Sequence, residues 1–173
     1  MNERVAERVL WAVETLGAAP ADRVLEIGCG HGIAVSLLSE RLTKGFAYGI
    51  DRSESMARAA AKRNRAAVEA GRVRIAAAEL TAGEHLRETF DRVFAINVDL
   101  FRERPEEEAN AVRRLLTPEG ALYLYMQPPV AGKARIVAAR WSEALERLGF
   151  RIEAVAYRNL ASAEAARLVA RPR

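Results

Sequence analysis

A carboxylate, Glu26, sits near the end of the apolar run Val24-Leu25-Glu26-Ile27 and is followed by glycines at 28, 30 and 32. Glycine at every second position leaves no β-carbon between a turn and whatever lies against it, and it admits positive φ. Ala34, Leu37, Leu38 and Leu42 then repeat at helical spacing, so the segment reads as strand, glycine turn and helix. The first N–H groups of a helix lack intrahelical partners, and the turn is expected to offer them to a ligand. The spacing differs from a dinucleotide fingerprint, whose third glycine comes three residues after the second. Here Gly32 follows Gly30 by two. A carboxylate at Glu26 repels a diphosphate and suits a ligand that carries an ammonium group. The competing reading gives the glycines a packing role alone.

A second acid ends the next apolar stretch, Ala47-Tyr48-Gly49-Ile50-Asp51. Asp51 follows Gly28 by 23 residues, the separation at which an acid on the next parallel strand accepts hydrogen bonds from the hydroxyls of a ribose. Ser53 is the better candidate for capping the following helix, which leaves the Asp51 carboxylate to a ligand.

These two stations resemble class I S-adenosylmethionine-dependent methyltransferases. Glu26-Ile27-Gly28-Cys29-Gly30-His31-Gly32 is similar to the family's acidic-x-Gly-x-Gly-x-Gly motif, and Gly49-Ile50-Asp51-Arg52-Ser53-Glu54-Ser55-Met56 to its Gly-apolar-Asp-x-Ser-x-x-Met stretch. Val73-Arg74-Ile75-Ala76-Ala77-Ala78-Glu79-Leu80 resembles the third strand and its adenine-reading end, with Ala78 in place of the family's glycine and Glu79 in place of its aspartate. Leu116-Thr117-Pro118-Glu119-Gly120-Ala121-Leu122 resembles the turn before strand five. The resemblance implies a three-layer α/β/α Rossmann-like fold whose mostly parallel seven-stranded sheet has an antiparallel last strand, in a single domain over residues 1–173. It implies S-adenosyl-L-methionine as cofactor, contacted by Glu26, Gly28, Cys29, Gly30, Asp51, Arg52, Met56, Glu79, Leu80 and Asn97. Glu79 would accept from the adenine amino group, and Leu80 would offer its backbone N–H.

The elements that must position these residues follow from pattern. Val5, Val9, Ala12, Val13 and Leu16 form the apolar stripe of an N-terminal helix that ends near Gly17, with Pro20 barring its extension. Strands are expected at 91–98 and through Tyr125, Met126 and Gln127, and the tail reads as a helix over 137–148, a strand over 150–157 and a last strand over 166–171. Pro105 followed by Glu106, Glu107 and Glu108 is a strong helix start, which accounts for those acids without catalysis.

Ligands of open α/β sheets bind beyond the carboxyl ends of the strands. An acceptor pocket is therefore expected where strands four and five end, bordered by Asn97, Phe101, Met126 and Gln127, with Trp11 of the N-terminal helix at its entrance or buried as a core tryptophan. Asn97-Val98-Asp99-Leu100-Phe101 departs from the Asn/Asp-Pro-Pro-aromatic signature of methyltransferases that modify exocyclic amines in nucleic acids. A small, partly apolar acceptor is expected. Methyl transfer asks mainly for alignment, so no catalytic residue is assigned; His31, Asp99 and Tyr125 are candidate bases, each with a duller structural explanation.

Composition narrows the classes. The chain has 173 residues, half of them hydrophobic, and 29% charged, with a net charge of +4. That suits one domain, and no stretch approaches the roughly twenty apolar residues of a membrane span. Neither a signal segment nor a disulfide is expected, since Cys29 is the single cysteine, and the compartment is expected to be the cytoplasm. Cys29 reads as a small residue of the turn rather than a nucleophile, for His31 and His85 are scattered and give no metal-ligand spacing either. Residues 52–74 carry Arg52, Arg58, Lys62, Arg63, Arg65, Arg72 and Arg74 against Glu54 and Glu69. No stacking aromatics interleave with them, so the strip is expected to be the solvated face of a helix whose buried side is Met56, Ala59, Ala60 and Ala67, not a nucleic-acid footprint. The rival readings are a nicotinamide-dependent oxidoreductase, disfavoured by the glycine spacing and the lack of a Tyr-x-x-x-Lys pair, and a protein that binds the cofactor without turnover.

Overall fold

Val24, Leu25, Val93, Phe94, Leu122 and Leu124 are fully buried, and neighbouring apolar residues of this kind belong to strands covered on both faces. The computed structural model describes residues 5–82, 86–130 and 132–173; His85 lies outside them. In chain order the elements are α1 (Glu7–Thr15), β1 (Arg23–Ile27), α2 (Ile33–Arg41), β2 (Phe46–Asp51), α3 (Glu54–Arg63), α4 (Arg65–Glu69), β3 (Val73–Ala77), β4 (Phe90–Ile96), α5 (Pro105–Leu115), β5 (Leu116–Met126), α6 (Lys133–Arg147), β6 (Phe150–Asn159) and β7 (Glu164–Pro172).

The strands form one seven-stranded sheet in the order β3-β2-β1-β4-β5-β7-β6. β1 pairs in parallel with both β2 and β4, and β4 with β5, whereas β7 runs antiparallel between β5 and β6. Two apolar clusters cover the faces. Trp11, Leu16, Leu38 and Leu42 of α1 and α2 pack with Phe94 and Tyr125 on one side. Val112 and Leu115 of α5 and Trp141 and Leu145 of α6 pack with Leu25, Leu122 and Leu168 on the other. This is the three-layer architecture expected from the resemblance.

Local chemistry sets the element boundaries. Ser53 caps α3 by accepting from the Met56 N–H at 3.4 Å. Pro105 occupies the first turn of α5, with Glu106, Glu107 and Glu108 at its positive end and Arg113 and Arg114 at its negative end. The helix expected over the basic strip is interrupted at Asn64, whose buried side chain donates to Ala60 O at 2.9 Å and Gly32 O at 3.1 Å. An asparagine bonding backward to the preceding turn competes with helix continuation. Ala57, Ala60 and Ala67 are the buried positions, while Met56 and Ala59 are only half-buried. Much of the basic strip is engaged: Arg58 with Glu54, Arg65 with Glu69, Arg74 with Glu88, and Arg72 with Ser39 O.

Several boundaries differ from the sequence expectation: α6 starts at Lys133, four residues ahead of the helix expected over 137–148, β6 runs on to Asn159 and β7 spans Glu164–Pro172, and two further differences have a local cause. The turn expected ahead of β5 lies inside that strand: Phe90 pairs with Leu116 and Arg92 with Ala121, so residues 117–120 bulge out opposite Asp91. Gly120 permits the bulge, because a β-carbon there would stand 2.8 Å from Phe90 O. β4 stops at Ile96 instead of continuing to Val98, because Asn97 turns into the left-handed region at φ 55.

Candidate functional site

The strand order reverses at β1, which lies between β2 and β4, and this switch point is where open α/β sheets leave a crevice at the carboxyl ends of their strands. A crevice of ≈ 460 Å³ opens there, lined by Gly28, Asp51, Arg52, Glu79, Leu80 and Asn97 among others. Its walls come from the ends of β1 to β4 and from the segment that leads into α5.

The glycine turn is built differently from the expectation. Four of its N–H groups are taken up within the protein: Gly28 N and Cys29 N donate to Ile50 O at 2.8 and 3.0 Å, Gly32 N to Cys29 O at 2.8 Å, and Gly30 N to Asp51 Oδ2 at 2.9 Å. The turn is thereby stitched to the end of β2. Gly28, at φ +70, passes so close to the segment after β4 that a β-carbon would lie 2.6 Å from Val98 Cγ2, whereas one on Gly30 would meet nothing within 4 Å. Packing therefore requires the first glycine, and the second leaves open space above the turn.

Glu26 is 4% exposed, and its Oε2 has no hydrogen-bond partner. Burial pushes its pKa well above the ordinary carboxylate range; the Val35 backbone N–H opposes the shift and the Asp51 charge adds to it. An orphaned buried carboxylate oxygen fits a ligand cation. Asp51 is fixed on both oxygens, Oδ1 accepting from Ser53 N and Oδ2 from Gly30 N, each at 2.9 Å. Each oxygen keeps lone-pair capacity, so a diol fits there too.

Asn97 lines the crevice from the end of β4, and its Oδ1 accepts from the Gln127 N–H at 2.7 Å. Glu79, just after β3, also lines the crevice, its Oε2 2.8 Å from Nη2 of Arg104, a lining residue just ahead of α5. The Arg104 hydrogen bond and charge hold the Glu79 carboxyl below its usual range. Leu80 is buried next to Glu79, and Leu100 and Val98 supply further apolar lining.

The remaining sequence candidates are dispersed. Cys29 is buried, with its thiol pushed up to about 12 first by burial and then by Glu26 and Asp51, so it is not a nucleophile at neutral pH. Met56 is half-buried on α3 and does not line the crevice. Of the residues expected to border an acceptor pocket, Asn97 lines the crevice, but Phe101 and Met126 pack into the α5/α6 cluster. Trp11 lies in the cluster on the other side of the sheet, edge-on to Tyr125 at 5.7 Å. Gln127 turns its amide to Ser162 Oγ at 2.9 Å and Ala163 O at 3.2 Å, bracing the β6–β7 turn. Alternating strand residues face opposite layers, which separates residues that the strand ends bring near in sequence. Tyr125 stands close to Thr15, and burial raises its hydroxyl to about 12. Asp99 lines the crevice, paired with Arg102 and Arg140.

Arg104 and Glu108 were missed from sequence. Glu108 lines the crevice and accepts the Phe101 N–H, holding that residue in its left-handed turn at φ 63. The helix-start pattern at Pro105 accounted for Glu108 locally, Arg104 belonged to no motif, and nothing local shows that Glu79 comes within 2.8 Å of Arg104.

Residues 24–120, more than half of the chain, match the family model of the methyltransferase domain. The chain is 27% identical over 118 residues to YdaC, an uncharacterised methyltransferase of Bacillus subtilis (strain 168). That match covers 68% of this chain and 63% of YdaC, so the chain spans less than two thirds of that relative's length. The fold is similar to that of a SAM-dependent methyltransferase from Aquifex aeolicus, at TM-score 0.76 and 19% identity, covering 94% of this chain and 88% of that one. It is also similar to that of the [4+2]-cyclase SpnF, at TM-score 0.77 and 17% identity, covering 98% and 84%. The family match runs from the first strand of the switch point to the bulge of β5, and on that match the chain belongs to the methyltransferase domain family.

Proposed function

We propose that this protein binds S-adenosyl-L-methionine in the switch-point crevice and transfers its methyl group to a small-molecule acceptor. The observation that carries the reading is the unpartnered, buried Glu26 Oε2 beside a glycine turn, with Asp51 on the adjacent strand end. In this assignment Glu26 takes the ammonium group, Asp51 the ribose hydroxyls, and the wall of Leu80, Val98 and Leu100 the base. Gly28, Cys29 and Gly30 supply the close approach of the turn, and Arg52 and Asn97 flank the ligand. The cofactor supplies a methyl group on a positively charged sulfur, which an acceptor displaces in line. The chain's own part is alignment and exclusion of water, and alignment alone is worth about 7–11 kcal/mol in favourable cases. A base is required only where the acceptor must lose a proton, and Asp99 is the candidate that lines the crevice.

A small acceptor is favoured by the ion-paired basic strip on α3 and α4 and by the lack of stacking aromatics along it. One sheet spans the chain from Arg23 to Pro172, which supports a single functional domain. Among the described residues no helix is long and apolar enough to cross a membrane, which is compatible with the proposed cytoplasmic location.

Calorimetry with S-adenosylmethionine, S-adenosylhomocysteine and nicotinamide dinucleotides tests the cofactor assignment. Binding of the first two and not the third is expected, and the reverse overturns the proposal. Because SpnF shares this fold and is described as a cyclase, turnover must be read as methylated product in an acceptor panel by mass spectrometry. Binding without any methylated product would favour a cofactor-binding role without transfer.

A further inference from the structure

A backbone N–H only donates, so the Asn97 atom that lies 2.7 Å from the Gln127 N–H is the carboxamide oxygen. That contact decides which way the amide faces. Oδ1 is turned to the end of β5, and the NH2 group is the corner left for the crevice that Asn97 lines. The Asn97 side chain makes no other hydrogen bond among the described residues. Its backbone is fixed as well, in the left-handed region at φ 55 with its own N–H donating to Tyr125 O at 2.8 Å. Such a conformation costs a non-glycine residue free energy and persists where the surroundings over-determine it. Gln127 does so from a secured position, since its side-chain amide donates to Ser162 Oγ at 2.9 Å and Ala163 O at 3.2 Å in the β6–β7 turn. β4 pairs with β1 through Ala95 and Ile27, and Asn97 follows Ala95 by two residues, which sets it beside the glycine turn. In the assignment above, that turn and Glu26 take the amino-acid end of the cofactor, the end that carries the sulfur.

We propose that the Asn97 NH2 group holds the acceptor through an oxygen, with Gln127 as the positioning residue that keeps it facing the crevice, so that the site methylates a hydroxyl oxygen in preference to an amine. This rests on the methyltransferase reading above and adds the acceptor atom. A donor occupies a lone pair of whatever it binds. An ammonium group has no lone pair to offer, and a neutral amine has one, the same pair that must attack the methyl carbon. A hydroxyl oxygen has two, so one accepts from Asn97 Nδ2 while the other attacks. The oxygen forms the new bond to the methyl carbon, the carbon–sulfur bond breaks with its electron pair passing to sulfur, and the hydroxyl proton leaves to solvent. A hydrogen bond to the ionised form favours that form, so the same donor assists loss of the proton.

The test uses benzyl alcohol and benzylamine, fragments of one shape that differ in the atom offered, added at neutral pH to the full chain saturated with S-adenosylhomocysteine. Ligand-observed NMR gives the two affinities, and in isotopically labelled protein the Asn97 NH2 signal, identified by its loss in Asn97→Asp, reports contact. The alcohol is expected to bind at least about threefold more tightly than the amine, the worth of one hydrogen bond, and to move that signal. Asn97→Asp sets an acceptor-only carboxylate on a left-handed backbone that aspartate tolerates, and is expected to reverse the preference. Gln127→Pro deletes the N–H that faces Oδ1, frees the carboxamide to turn over, and is expected to bring the ratio close to unity. Gln127→Ala keeps that N–H and is expected to keep the preference. Melting curves verify the fold of each variant. Equal affinities, tighter binding of the amine or binding of neither fragment, in protein that binds S-adenosylhomocysteine, overturns this inference and leaves the cofactor assignment standing. A folded Asn97→Asp that still prefers the alcohol overturns it too, and a folded Gln127→Pro with an unchanged ratio overturns the positioning role of Gln127. Failure to bind S-adenosylhomocysteine overturns the cofactor assignment, and this inference with it.

Discussion

Glu26 and Glu79 are two glutamates of the proposed cofactor site, the first buried on β1 and outside the crevice lining, the second on that lining, and they are held by opposite means. Glu26 is 4% exposed and has an orphaned oxygen, with the Val35 backbone N–H as a partner of its carboxylate. The Glu79 side chain is 53% exposed and owes its position to a single partner, Arg104. Burial raises the pKa of the first and the Arg104 hydrogen bond lowers that of the second. The Glu26 side is therefore shaped by the backbone and stores an unmet electrostatic demand, whereas the Glu79 side is shaped by long side chains that meet each other's demand in partial solvent. A ligand gains charge pairing at the first and orientation at the second.

The largest expected effect comes from forcing the glycine turn open. Gly28→Val places a branched side chain at φ +70 with its β-carbon 2.6 Å from Val98 Cγ2. Destabilisation by about 3 kcal/mol or more is expected from strain and overpacking together, read by denaturant unfolding. Gly30→Ala has no such clash, so it is expected to cost about 1–2 kcal/mol of backbone strain. Near-equal losses in the two variants would show that the turn does not press on Val98.

Next in size is Asp51→Ala, which strands the Gly30 and Ser53 N–H groups and removes the acceptor for a diol. Affinity for S-adenosylhomocysteine is expected to fall by about 1–3 kcal/mol, measured by calorimetry. No loss of affinity would remove Asp51 from the site.

The pH response of Glu26 separates the two glutamates more finely. Its folded pKa is raised, so the folded apo protein holds a proton that the unfolded chain, at its ordinary value of 4.5, has released as pH climbs. Glu26 therefore costs stability as pH rises from the unfolded toward the folded value, and a cation bound there must first displace the proton. S-adenosylhomocysteine affinity is expected to weaken as pH falls through the raised range, with proton release visible in buffers of different ionisation enthalpy. Glu26→Gln is expected to bind more weakly and to flatten this profile; an unaltered profile in that variant would assign the proton elsewhere.

The smallest effect belongs to Glu79. Glu79→Ala is expected to leave the melting temperature indistinguishable from that of the unaltered chain, because an ion pair this exposed contributes little to folding. A clear drop in melting temperature would mean that the pair holds the walls together, and not merely the reader of the base.

This division also governs what the sequence disclosed. The strand, glycine turn and helix around Glu26 and the strand end at Asp51 were legible because such local structure depends on neighbours within a few residues. The antiparallel β7 was reached through the resemblance, since pattern alone gives no pairing direction. The fate of the turn's N–H groups was not legible: they point to Ile50 O and Asp51, and only the register of β1 against β2 sets that. Phe101, Met126 and Trp11 failed as a group for a related reason. Nearness of strand ends does not say which layer a side chain enters, and these three enter two different cores. Glu108 was hidden by a helix-start pattern that already had a local explanation, and Arg104 belonged to no motif.

The lone thiol makes the motion of the glycine turn measurable. Cys29 is buried, and its Sγ lies 3.0 Å from where a β-carbon on Gly49 would stand, so a labelling reagent reaches it only when the turn lifts away from β2. With no other cysteine in the chain, each alkylation event records one such opening. The labelling rate is therefore a clock for local unfolding at the switch point, and its slowing on addition of a ligand would report occupancy in a cell extract where calorimetry cannot be used.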